Sequence, residues 1–300
     1  MTAAATLHAL LTGAIDYAGL FPPASLSMHD AVERYANYRQ SGDAWALGRF
    51  VLPLTRTSEL TAAQEELRAR GQGWRLTVLI NRDGGVDSTA IREFNQSNAG
   101  SALIDSAEAK VGGAPSAARH EIAAIAARLS QSLRLFVEVP ATEEVGAYIA
   151  AVGAANACAK IRTGGVTADA FPAAKDVARF LVCCAEQDIA FKATAGLHHP
   201  CRGRYPLTYD ADAPVATMFG FLNVLIAATV ARVGGTIDEV THVLETGAGA
   251  DFRFEDNEIV WRDVRVSRQQ VLESHATFAL SFGSCSFEEP MHDLRGLGLL

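Results

Sequence analysis

The chain has 300 residues, of which 49% are hydrophobic and 20% charged, and a formal net charge of −8. That composition excludes intrinsic disorder and supplies material for a large core. The acidic balance argues against nucleic-acid and anionic-membrane partners, which need a basic face, but leaves room for an anionic small molecule.

Short runs rich in Val, Ile, Leu and Phe alternate along the chain with longer helical stretches. This is the signature of a parallel sheet covered by helices. The first 20 residues lack a basic segment and carry Asp16, which predicts no signal peptide and a cytoplasmic protein. Strands are expected at 15–20, 49–54, 74–80, 102–107, 133–139, 157–161, 189–193 and 277–282. Between them, apolar residues at i, i+3 and i+4 predict helices at 28–40, 58–70, 117–131, 143–152 and 175–187. Eight strands in this rhythm predict a closed (β/α)8 barrel, one domain over residues 1–300, of the size such barrels usually have.

The rhythm breaks once, between the seventh and eighth strands. Residues 206–270 are read as an insertion over or beside the barrel mouth, because the stretch is too long for a βα connection. The uncharged segment at 213–231 contains Pro214, Gly220 and Asn223 and has no basic anchor before it. It is therefore expected to be a buried helix and not a membrane span. A second helix is predicted at 237–245. Alternation on both sides of Glu255–Asn257 then predicts a β-hairpin. The five cysteines form no C-x-x-C pair, and Cys183 and Cys184 are adjacent, so free thiols in a reducing compartment are expected.

In barrels of this kind the reactive groups come from the C-terminal ends of the strands. Those ends read NRDGG (81–85), LIDSAEAKVGG (103–113), FVEVP (136–140), AKIRTGG (159–165), FKATAGLHHP (191–200) and FGSCS (282–286). Lysine use narrows the choice. The chain has only Lys110, Lys160, Lys175 and Lys192, against 22 arginines. A buried lysine can lose its proton and attack a carbonyl, whereas arginine stays charged. Strand alternation puts Cys158, Lys160 and Arg162 on one face, and Ala190, Lys192 and Thr194 on one face of the next strand. If both faces point inward, the two lysines are neighbours, each depressing the other's pKa. Their other reading is as ordinary ion-pair partners of Glu138 or Asp105. His198 and His199, adjacent on an extended loop, point apart, so a shared metal is not expected. One of them could serve as a pocket acid, base or anion ligand.

The stretch KIRTGGVTADAFP from Lys160 resembles the K-T-S-T-G…N-A-T-P segment of the deoxyribose-phosphate aldolases, the class I aldolases that work through a Schiff base. FKATAGLHHP is similar to that family's F-K-P-A-G-G-V-R-T strand, FVEVP to V-I-I-E-T, and FGSCS to R-F-G-A-S-S. The likeness covers about 103–200 and the last twenty residues. It implies a cofactor-free lyase for a small oxo or hydroxy-oxo compound, with or without a phosphate, in a barrel that could assemble as a homo-oligomer. Lys160 would form the imine, Lys192 would tune it, and Asp105 or Glu108 would relay the proton. Glu138 would orient Lys160 or move protons. Arg162, Thr163, Gly164, Gly196, His198, Gly283, Ser284 and Ser286 would line the substrate pocket. The family's phosphate-cradling glycine pair is here Ala195–Gly196, which weakens a phosphate site. Two rival readings keep the barrel: a metal-assisted enolising or phosphoribosyl-transfer enzyme whose lysines bind an anion, and an inactive barrel serving as a scaffold. Neither a dinucleotide-binding nor a Walker glycine loop is present.

Overall fold

A computed structural model describes residues 3–68, 73–80, 88–247 and 251–300. Eight parallel strands close into a barrel: β1 (Ile15–Tyr17), β2 (Leu47–Pro53), β3 (Trp74–Leu79), β4 (Ala102–Lys110), β5 (Arg134–Glu138), β6 (Cys158–Arg162), β7 (Phe191–Thr194) and, after an interruption, Ala279–Ser284. The last strand closes the ring, pairing with β7 on one side and β1 on the other. All eight lie where the apolar runs predict them, within one to three residues at most ends. The (β/α)8 barrel is therefore the fold.

Helix α1 (Ala5–Leu11) precedes the barrel, and α2 (Met28–Gln40), α3 (Thr57–Glu66), α4 (Ser88–Ser97), α5 (Pro115–Arg128), α6 (Val145–Ala154) and α7 (Ala174–Glu186) follow β1 to β6 in turn. They bury the stripe that their spacing predicts: α2, for example, buries Met28, Ala31, Val32, Tyr35 and Tyr38. Its N-terminus is capped by the Ser27 side chain, which accepts from the Asp30 N–H.

The stretch after β7 divides into pieces at opposite ends of the barrel. A two-stranded hairpin, β8 (Gly203–Pro206) with β9 (Val215–Met218), stands at the mouth. Next, α8 (Phe221–Arg232) packs on α7 and the closing strand, taking the place of the regular crossover helix, and α9 (Ile237–Glu245) covers it from outside. The expected hairpin then forms β10 (Phe252–Phe254) and β11 (Glu258–Trp261), extended by β12 (Val264–Ser267) into a meander. This meander does not lie at the mouth. Thr6 Oγ1 donates to the Glu255 carbonyl (2.5 Å) and the Ala5 N–H to Asp256 (3.1 Å), which ties it to α1, the helix that leads into β1. It joins α10 (Arg268–Thr277), which feeds the N-terminal end of the closing strand β13 (Ala279–Ser284); α11 (Glu288–Gly296) follows. The mouth and the opposite end are thus served by different parts of one long connection.

The segment without charges is explained by this arrangement. Residues 221–231 of α8 are all buried, since α8 is enclosed by α7, α9, α10 and β13. At 12 residues it is about 18 Å long. No helix among the described residues is long and apolar enough to cross a membrane. Two of these buried residues are polar: the Thr229 hydroxyl donates to the Leu225 carbonyl within the helix (3.0 Å), and Asn223 reaches beyond it. Its amide donates to the Val243 and Thr246 carbonyls (2.8 Å each) and accepts from the Arg202 N–H (2.8 Å), which satisfies the end of α9 and the hairpin root together. Replacing Asn223 with alanine strands three buried backbone groups. Chemical denaturation is expected to show a loss of about 3 kcal/mol.

Candidate active site

A cavity of about 230 Å³ opens at the C-terminal end of the strands. Lys160 and Lys192 line it, directly opposite each other in the register of β6 and β7. The inward alternation expected for Lys160 and Arg162, and for Lys192 and Thr194, is what the structure shows. The NRDGG stretch at 81–85 lies outside the described residues.

Glu108 links the two lysines. Its Oε2 is 2.6 Å from Lys160 Nζ and its Oε1 2.7 Å from Lys192 Nζ. Lys160 also contacts Glu138 Oε2 at 2.9 Å, the residue in register with it on β5. Lys192 contacts Asp16 Oδ2 at 2.6 Å, and its ammonium stands 5.4 Å from the centre of the Phe136 ring. Asp16, on β1, is fixed by two more donors, the Ser281 hydroxyl (2.9 Å) and the Arg49 N–H (2.8 Å). Gly48 makes room for it: a Cβ there would meet Asp16 Oδ1 at 2.5 Å. Five charged groups thus form one buried chain, Asp16–Lys192–Glu108–Lys160–Glu138, across five of the eight strands.

Electrostatics follow from these contacts. Burial by itself would raise the Glu108 pKa, but the attraction of Lys192 and Lys160 outweighs it and holds the carboxyl at about 2. Burial would lower the Lys192 pKa, but Asp16 and Glu108 outweigh it and the value rises. The expectation of mutual depression is corrected for Lys192: two carboxylates in direct contact with its ammonium keep it charged. The two lysines also differ in access. Lys192 has no exposed surface, whereas the Lys160 side chain retains 8% of its exposure.

Asp105 is not part of this chain. It does not line the cavity; Arg49 Nε (2.7 Å) and Arg75 Nε (2.7 Å), near the starts of β2 and β3, donate to it. Burial raises its pKa, but the two guanidiniums outweigh that and hold it low. The cause of the displacement is a register shift. Leu76 pairs with Ile104 and Thr77 with Ser106, so Asp105 is an extra residue in β4, and alternation restarts after it. Glu108, the alternative, takes the place at the cavity.

The glycine-rich loops have structural tasks. Thr163 is buried, and its hydroxyl donates to the Ala195 carbonyl (2.7 Å), pinning the turn after β7. A Cβ on Gly164 would meet the Phe171 ring at 2.5 Å, and one on Gly196 at 2.9 Å, so these glycines allow loop packing. Neither Thr163 nor Gly164 reaches the cavity wall, whereas Gly196 and Gly283 do. Ala195 is held at φ 68°, a left-handed conformation that favours glycine. Ala195→Gly relieves this strain and is expected to raise stability by about 0.5–1 kcal/mol in a denaturant titration.

His198 lines the cavity, whereas His199 stacks on Tyr205 and bonds Asp293 (2.6 Å); the two imidazoles do not fully diverge, since both approach the Glu289 carboxylate, at 3.5 and 3.8 Å. His198 Nδ1 approaches Cys285 Sγ (3.7 Å), Ser284 Oγ (3.5 Å) and Glu289 Oε2 (3.5 Å). Burial would lower its pKa, but the contacts with Cys285 and Glu289 outweigh it and lift it to about 9. Ser284 and Ser286 are set back from the cavity. Ser284 supports His198, and the Ser286 hydroxyl accepts the Glu289 N–H (3.1 Å) at the start of α11.

Asp16 and Cys285 complete the site without having been singled out as site residues in the sequence. The one signal for Asp16 is a carboxylate set in an apolar strand, since a buried charge requires a partner.

No family model and no curated sequence matches the chain. Among solved structures, the spore cortex-lytic enzyme SleL of Bacillus cereus is similar, with a TM-score of 0.40 and 12% identity, over 96% of this chain and 74% of that one. The fold assignment rests on the closed eight-stranded barrel itself.

Proposed function

We propose that this protein is a Schiff-base-forming carbon–carbon lyase acting on a small oxo or hydroxy-oxo compound, with Lys160 as the nucleophile. The observation that carries this reading is the Glu108 carboxylate held between two lysines on neighbouring strands, both at the cavity wall, of which only Lys160 keeps any exposed surface. Lys160 passes a proton to Glu138, from which it returns to the departing carbonyl oxygen, and the free amine attacks the substrate carbonyl. A carbon–nitrogen bond forms, the carbonyl oxygen leaves as water, and the nitrogen ends as a protonated imine. In the cleavage direction a carboxylate takes the proton of the hydroxyl on the β-carbon, that carbon leaves as an aldehyde or ketone as the bond between the α- and β-carbons breaks, and the electrons of that bond flow into the imine to give an enamine. Protonation at the α-carbon and hydrolysis then release the product.

Glu108 is the carboxylate best situated to move the proton at that carbon, because it touches both lysines and borders the cavity. Lys192 acts as a permanent cation beneath it, keeping Glu108 ionised and facing Lys160. Metal-assisted chemistry has less support, since Asp16, Glu108 and Glu138 are each engaged by an ammonium group and are poorly free to ligate a cation. The test is cyanoborohydride reduction in the presence of small aldehydes and oxo acids, followed by peptide mapping. The expected adduct is on Lys160. An adduct on Lys192 reverses the roles, and no adduct with any carbonyl compound that the enzyme turns over removes the Schiff base.

A further inference from the structure

We propose that the substrate is a 2-oxo acid and that Arg162 binds the carboxylate adjoining the carbonyl that Lys160 attacks. The inference rests on the Schiff-base reading and adds the substrate class.

Arg162 lies two residues beyond Lys160 on the same inward face of β6, about 7 Å along the strand. A carboxylate bonded directly to the imine carbon would span that interval. The guanidinium is little used by the protein. Its nearest acidic atom, Glu138 Oε1, is 3.8 Å away, beyond hydrogen-bond length, and Glu138 is already contacted by Lys160 (2.9 Å) and Lys110 (3.5 Å). Its other contact, Nη1 to the Gly164 carbonyl, is long at 3.4 Å. The side chain is 52% exposed, so most of its five N–H donors face the cavity mouth or solvent.

Charge and shape agree. Among the described residues, Lys110, Lys160, Lys192 and Arg162 face Asp16, Glu108 and Glu138 in one connected cluster, which leaves a positive charge in excess inside a chain of net charge −8. Thr194 and Gly283 share the register level of Arg162 and line the cavity beside it. A planar carboxylate meets the guanidinium fork with two parallel bonds. A phosphate would need the loop backbone as a cradle, but Gly164 and Gly196 are packed against Phe171 and the turn at Ala195 is closed by Thr163.

The experiment follows adduct formation by intact mass with cyanoborohydride and, separately, pyruvate, propanal and glycolaldehyde phosphate, in wild type and Arg162→Gln. The ratio of pyruvate to propanal trapping is expected to fall about 10-fold or more in the variant, the loss of a charged bidentate contact. An unchanged ratio overturns the proposal and leaves the Schiff base standing. So does a phosphorylated aldehyde whose trapping depends on Arg162 as strongly as that of pyruvate. If no carbonyl compound gives an adduct, the Schiff-base reading fails, and calorimetric titration with lactate, which cannot form an imine, judges the carboxylate site. Saturable binding that Arg162→Gln abolishes upholds it, and no binding overturns it.

Discussion

Lys160→Arg is expected to abolish reductive trapping and to lower turnover by about 10³-fold or more, the scale on which loss of a covalent nucleophile acts. Arginine keeps the positive charge between Glu108 and Glu138, so the contacts that hold those carboxylates (2.6 and 2.9 Å in the wild type) retain a cationic partner and the barrel stays closed. A guanidinium does not attack a carbonyl under these conditions. The pairing of a folded protein with absent trapping is the diagnostic result. If trapping persists in the variant, Lys160 is not the nucleophile. If turnover persists without trapping, the lysines bind an anion and no imine forms.

Lys192→Met is expected to show the largest stability effect. Methionine fills much of the lysine volume but leaves Asp16 and Glu108 without the ammonium that contacts both at 2.6 and 2.7 Å. Removing one partner of a buried ion pair typically costs about 3–5 kcal/mol near neutral pH. The pH dependence has a definite sign. In the wild type the Glu108 pKa is held at about 2, below its unfolded value of about 4.3, so its contribution is present above pH 4 and is lost as pH falls through 2. In the variant, burial is less opposed and the Glu108 pKa rises, so protonation relieves the strain at a higher pH. The gap between wild type and variant should therefore be widest at pH 7 and narrow from about pH 4 towards pH 2. A gap that is constant with pH, measured by urea unfolding, would show that lost packing and not stranded charge is responsible.

The inward placement of Lys160, Arg162, Lys192 and Thr194 was legible because strand alternation is local: once β6 and β7 are recognised, two-residue periodicity decides which side chains share a face. The same rule did not choose between the carboxylates of β4. Counting from the start of that strand puts Asp105 and Glu108 on opposite faces without saying which faces in, and the likeness to the aldolases favoured Asp105. The extra residue between the pairs Leu76–Ile104 and Thr77–Ser106 resets the count, and it is visible only when β4 is laid against β3. The connection from β7 to β13 was misread for a related reason. Its two small sheets have similar alternating patterns, and nothing in such a pattern states which end of the barrel a sheet will meet.

The sequence by itself determined the number and order of the barrel strands, the helix faces that cover them and the two lysines that point inward. Each of these depends on periodicity within a segment or on the order of segments. Tertiary structure alone decided which carboxylates complete the site. Asp16 meets Lys192 across 176 residues, and Glu108 meets both lysines from a strand that is a neighbour of neither β6 nor β7. Buried charges must find partners wherever closure of the barrel brings them. That choice is made by three-dimensional proximity in a medium that penalises an unpaired charge, which no spacing along the chain encodes.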